Sequence, residues 1–97
     1  MKLNLEQVRE TLQKELPALR RRFLVKSLAI FGSVARQDPQ PNDLDLLVEF
    51  YDVPGMFGFI ALENHLSDMM GLKVDLLVRD SLKPRVSKSA IKELVLV

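Results

Sequence analysis

The chain has no cysteine, which excludes disulfides, a thiolate nucleophile and cysteine metal sites. Its one histidine, His65, has no cysteine or second histidine to share a metal with, and so reads as a packing residue. The one tyrosine, Tyr51, follows an apolar run and reads as a strand-end aromatic. The sequence meets Glu6 and Arg9 before any long apolar run, so neither a signal peptide nor a membrane span is expected, and the expected location is cytoplasmic. Charge of one sign is also lacking. Fourteen basic residues against thirteen acidic give a formal net charge of +1, too little for a clamp that neutralises many phosphates, so no direct nucleic-acid contact is expected. Linkers and low-complexity segments are missing too. What is present is 97 residues, 47% of them hydrophobic. That is enough for one domain spanning 1–97, near the size at which cores become marginal and association with a partner or a second copy adds stability.

The chemistry concentrates in Phe31-Gly32-Ser33-Val34-Ala35-Arg36 and, after a loop at 37–42 holding two prolines, in Asp43-Leu44-Asp45-Leu46-Leu47-Val48. An apolar run at 27–31 ending in Gly32 reads as a buried strand stopping at a tight turn. If Ser33 opens a short helix, its free amides point out of the turn as a phosphate cradle, with the Ser33 hydroxyl and the Arg36 guanidinium as added donors. A Gly-Ser pair alone is an ordinary turn. Strand alternation places Asp43 and Asp45 on one face, about 6.5–7 Å apart, with Leu44 and Leu46 on the other. Two aligned carboxylates repel unless a cation lies between them, and hard oxygen ligands suit magnesium. The tetrapeptide Asp-Leu-Leu-Val then recurs at Asp75-Leu76-Leu77-Val78. If both runs are parallel neighbours in matched register, Asp75 sits beside Asp45 and three carboxylates face the turn.

Around these motifs the chain reads as scaffold. Asn4 and Gln7 resemble a capping box opening a helix through Leu5, Val8, Leu12 and Leu16, which Pro17 is expected to end or kink. A further turn would carry Leu19 and Phe23, with Arg20, Arg21 and Arg22 as a solvated helix end. The strand at 43–50 is broken by Pro54 and Gly55. Phe59, Leu62, Leu66 and Met69 define one face of a helix from Met56 to Met70, stopped by Gly71. Met56, Phe57, Phe59 and Met70 could line a nucleotide or partner groove, but a methionine and aromatic stripe at this spacing reads first as core. Strand, helix and strand make a right-handed crossover. Asp80 or Ser81 would cap a last helix through Leu82, Val86, Ala90 and Ile91, with Lys83, Arg85 and Lys88 as a solvated face. The apolar tail at 94–97 would pair as an edge strand or lie in a partner's groove.

Gly-Ser, a spacer, Asp-x-Asp and a later strand Asp resemble the signature of the DNA polymerase β-like nucleotidyltransferases. The wording here is most similar to their minimal members, the MntA-like antitoxins, over roughly residues 28–97. This chain departs in having one residue fewer than usual between Ser33 and Asp43, and Asn42 where serine is commonest. The resemblance implies an α/β fold with a small mixed sheet flanked by helices, its first strand antiparallel and its third parallel to the second. It also implies magnesium-dependent transfer of AMP from ATP to a protein hydroxyl, a tyrosine of a HEPN-type toxin. Asp43, Asp45 and Asp75 would hold two Mg2+ ions, with Asp75 taking the hydroxyl proton, and Gly32, Ser33 and Arg36 would hold the nucleotide. The alternative is a non-catalytic antitoxin that neutralises its partner by binding alone.

Overall fold

The computed structural model describes residues 4–37, 43–79 and 94–97. Helix α1 spans Leu5–Phe23, and the Asn4 side chain accepts from the Glu6 amide at 2.8 Å, as an N-cap should. Pro17 does not end this helix, and no separate turn follows it; the helix runs without a break through Leu19 to Phe23. Proline removes one backbone donor and costs about 3 kcal/mol inside a helix. Leu19, 1% exposed, and the partly buried Phe23 pack on the core beyond Pro17 and offset that cost. Leu24, at φ 58°, takes the left-handed cap and donates to the Arg20 carbonyl.

Strand β1 (Val25–Phe31) begins two residues before the apolar run suggested. Val25 and Leu28 are both buried although three residues apart, a spacing that strict alternation forbids. A register shift between Val25 and Ser27, opposite Phe50 and Glu49, absorbs Lys26 as a bulge. After the short helix α2 (Gly32–Ala35) come β2 (Leu44–Phe50), α3 (Met56–Met70), β3 (Val74–Val78) and β4 (Val95–Leu96). Gly71, at φ 71°, caps α3 by donating to the Ser67 carbonyl.

The four strands form one sheet in the order β3-β2-β1-β4, with β1 antiparallel to β2 and β2 parallel to β3. One face carries Leu28, Ile30, Leu44, Leu46, Val48, Val74 and Leu76, which form the core with Val8, Leu12 and Leu19 of α1 and Leu62 and Leu66 of α3. The opposite face carries Asp45, Glu49 and Asp75. At the outer edge of β3, the Val74 amide donates to Ser67 Oγ at 3.1 Å and the Leu76 amide to Glu63 Oε2 at 3.3 Å. Side chains of α3 thus satisfy the donors that an open edge would leave free.

The tail pairs as an edge strand: Val95 and Leu96 lie against Ile30 and Ala29, Val97 donates to the Leu28 carbonyl, and Arg9 Nε donates to the Leu96 carbonyl. The expected last helix, with its caps and basic face, lies outside the described residues, as does most of the 37–42 loop. Phe59 and Met70 pack on the core as expected, but Met56 and Phe57 do not, being 75% and 87% exposed. They sit in the first turn of α3, before its core-facing stripe begins. His65 packs its ring 5.6 Å from that of Phe23, and Tyr51 stands exposed at the end of β2.

Candidate active site

The site begins where β1 stops. Phe31, its last residue, pairs with Asp45, so the turn that follows is delivered to the carboxylate end of β2. Gly32 has φ +73°, and a β-carbon there would collide with Asp45 Oδ2. Glycine is therefore required both for the backbone angle and for the closeness of the carboxylate. Val34, 2% exposed, anchors the single turn of α2 in the core. Arg36 N–H closes that turn on the Gly32 carbonyl at 3.0 Å. Ser33 Oγ donates to the Asp43 carbonyl at 3.5 Å, a long bond that links the turn to the start of β2.

Leu44 and Leu46 are fully buried on the core side, so alternation turns Asp45 to the other face. Strand β2 begins one residue later than expected, and Asp43 stands in the bend just before it, close enough for its charge to act on Asp45. The parallel ladder sets Asp45 directly opposite Asp75, within the run Leu44↔Val74 to Val48↔Val78. Adjacent strands lie about 4.8 Å apart. Two carboxylates are thus cross-strand neighbours, an arrangement that destabilises a sheet unless something cationic offsets it. A second acidic row on the same face shows the contrast. There Glu49 accepts from Ser27 Oγ at 2.9 Å and pairs with Arg79 Nη1 at 3.3 Å.

Asp45 registers the crowding. Burial pushes its pKa above the usual carboxylate range, the charges of Asp75 and Asp43 push it further, and the Arg36 guanidinium pulls it back. Arg36 therefore acts electrostatically on this cluster. Lys73 Nζ lies 3.8 Å from Asp75 Oδ1, both side chains being substantially exposed. Sequence reasoning assigned Lys73 no role, although its two-residue offset from Asp75 puts both on one strand face. Among the described residues, no three carboxylate or imidazole groups close into a ready-made metal cage. Magnesium does not require one, since it is commonly held by one or two carboxylates together with substrate phosphates. Gly32, Ser33, Arg36, Asp43, Asp45 and Asp75 are thus gathered at one end of the sheet.

A strand, a glycine turn and carboxylates on two parallel neighbours define the nucleotidyltransferase class of α/β fold. The nucleotidyltransferase domain model matches residues 6–97, and the chain belongs to that family. It is 38% identical over 96 residues to protein adenylyltransferase MntA of Thermococcus cleftensis, with 98% of this chain and 97% of that one covered. A solved structure described as a minimal nucleotidyltransferase superposes with a TM-score of 0.78 at 29% identity, covering 97% of this chain and 96% of the other. A complex of a tri-AMPylated Shewanella oneidensis HEPN toxin with its MNT antitoxin matches with a TM-score of 0.69, covering 92% and 70%. At 18% identity, that likeness establishes the fold alone.

Proposed function

We propose that this chain, as a single domain over residues 1–97, transfers AMP from ATP to a protein hydroxyl, a tyrosine of a HEPN-type toxin, and so acts as its antitoxin in the cytoplasm. The observation that carries the reading is the direct cross-strand pairing of Asp45 with Asp75 beside the Gly32 turn. A sheet gains nothing from two facing carboxylates, whereas a phosphoryl-transfer site needs them. A protein relative adds support: the Thermococcus chain is named a protein adenylyltransferase, and the fold is shared, at 19% and 18% identity, with a toxin-antitoxin pair solved with AMP-PNP and with the AMPylated HEPN complex.

Asp43, Asp45 and Asp75 would hold two Mg2+ ions, which supply charge neutralisation of the triphosphate and an acidified acceptor hydroxyl. The amides after Gly32 and the hydroxyl of Ser33 orient the phosphates, and Arg36 adds positive charge. Ser33 must release the Asp43 carbonyl to donate to a phosphate, which its long bond makes inexpensive. The acceptor oxygen forms a bond to the α-phosphorus while the bond from that phosphorus to the α–β bridging oxygen breaks. Pyrophosphate leaves, and the hydroxyl proton passes to the Asp75 carboxylate, whose Oδ1 lies 3.8 Å from Lys73 Nζ.

The test is mass analysis of a purified HEPN-type partner after incubation with this chain, ATP and magnesium. The expected result is added adenylyl mass on one tyrosine, absent when that tyrosine is phenylalanine. An unmodified partner under these conditions contradicts the reading.

A further inference from the structure

Six of the eight large hydrophobics exposed among the described residues are Leu24, Tyr51, Val53, Met56, Phe57 and Ile60, from 43% to 87% exposed. They gather at one end of the fold. The Tyr51 amide donates to the Leu24 carbonyl at 2.9 Å, joining the end of β2 to the cap of α1. Met56, Phe57 and Ile60 stand three and four residues apart, so they share one stripe of α3, away from the buried Leu62 and Leu66. The connection is ordered: Pro54 packs against Gly58, where a β-carbon would stand 2.9 Å from Pro54 Cβ, and Phe59 donates to the Gly55 carbonyl. This end lies six strand residues from Asp45, about 20 Å away.

The margin of the patch is cationic. Arg20, Arg21 and Arg22 form the last turn of α1 and, with Lys26, are exposed. Arg20 Nη2 reaches the Lys26 carbonyl at 3.5 Å and Arg22 lies 5.3 Å from the Phe23 ring centroid, so neither guanidinium contact neutralises its charge. Among the described residues near this end in the chain, Asp52 is exposed, while Glu49 is held by Arg79. An apolar centre of Met, Phe and Tyr with an arginine rim has the composition of protein interfaces.

We propose that this end of the molecule is a docking surface for a different protein, one presenting an apolar centre with an acidic margin. A second copy of this chain fits poorly, because a self-complementary contact would bring two cationic rims into one interface. Because the surface is remote from the carboxylates, a partner bound there leaves the acid cleft open, and the inference stands apart from the adenylyl-transfer reading.

Photo-crosslinking from benzoylphenylalanine placed at Phe57 of the full chain in cells identifies the occupant, and titration of that purified protein tests the surface. The expected adduct is on a different protein, at a segment carrying Asp or Glu. Binding should weaken at least about tenfold for Met56→Ser with Phe57→Ser, and likewise for Arg20→Gln, Arg21→Gln and Arg22→Gln together. It should fall with added salt and be unchanged in Asp43→Asn with Asp45→Asn. Thermal melting of all the variants verifies that they fold. An adduct to a second copy, nucleic acid or lipid, the absence of any adduct, or an affinity indifferent to either set of substitutions overturns the proposal.

Discussion

Gly32 meets two demands that no other residue meets together, a left-handed backbone angle and contact with a carboxylate where a side chain would stand. Gly32→Ala is therefore expected to lose about 1–3 kcal/mol of stability and to lose ATP binding, read by urea unfolding and nucleotide titration. Normal values for both would show that the turn is free to rearrange. Asp45 makes a prediction of opposite sign. Its folded pKa lies above its unfolded one, so between the two values the folded state binds more protons. Its unfavourable contribution then grows as pH rises through the folded pKa and is fully present at neutral pH. Asp45→Asn should accordingly be as stable as wild type or more so at neutral pH, with the advantage shrinking toward about pH 4. Paired urea melts at the two pH values measure this, and an advantage that grows on acidification would reverse the assignment. The phase of these acids was readable because Asp-Leu-Leu-Val occurs twice, and identical phase in parallel neighbours is identical facing. The Ser33 bond to the Asp43 carbonyl was not readable, because it depends on where a loop returns.

Elements with a clean period were legible and those resting on compensation were not. Helix α3 runs from Met56 to Met70 as its spacing indicates, and Gly71 ends it. Pro17 misleads because local propensity cannot register what Leu19 gains by burial one turn later. The bulge at Lys26 is invisible to alternation because it is the break in alternation. Met56 and Phe57 misled for a third reason: hydrophobic type was read as burial, whereas helical phase puts them outside. The tail, expected at an edge or in a partner's groove, is held by this chain's own β1 and Arg9. The contact between α3 and the edge of β3 can be tested alone. Ser67→Ala leaves the Val74 amide without its acceptor and should cost about 1 kcal/mol, with hydrogen exchange at that amide quickening. Unchanged exchange there would show that the bond does not guard the edge.

At the scale of the whole molecule, the two ends of the sheet carry different chemistry: repelling carboxylates at one, an arginine-rimmed apolar surface at the other. The +1 net charge conceals this separation, because it sums charges that the fold sets about 20 Å apart. No described helix is long and apolar enough to cross a membrane. The central claim is that the carboxylate end does chemistry and does not merely accompany binding. The most direct measurement follows adenylyl transfer to a purified HEPN-type partner and the partner's inhibition in one tube, for wild type and for Asp43→Asn with Asp45→Asn, with and without ATP. The account predicts that the variant folds and binds its partner, transfers no adenylyl group and fails to silence the partner, while wild type does both only with ATP. A variant that silences the partner as fully as wild type, with no nucleotide transferred by either, would contradict it.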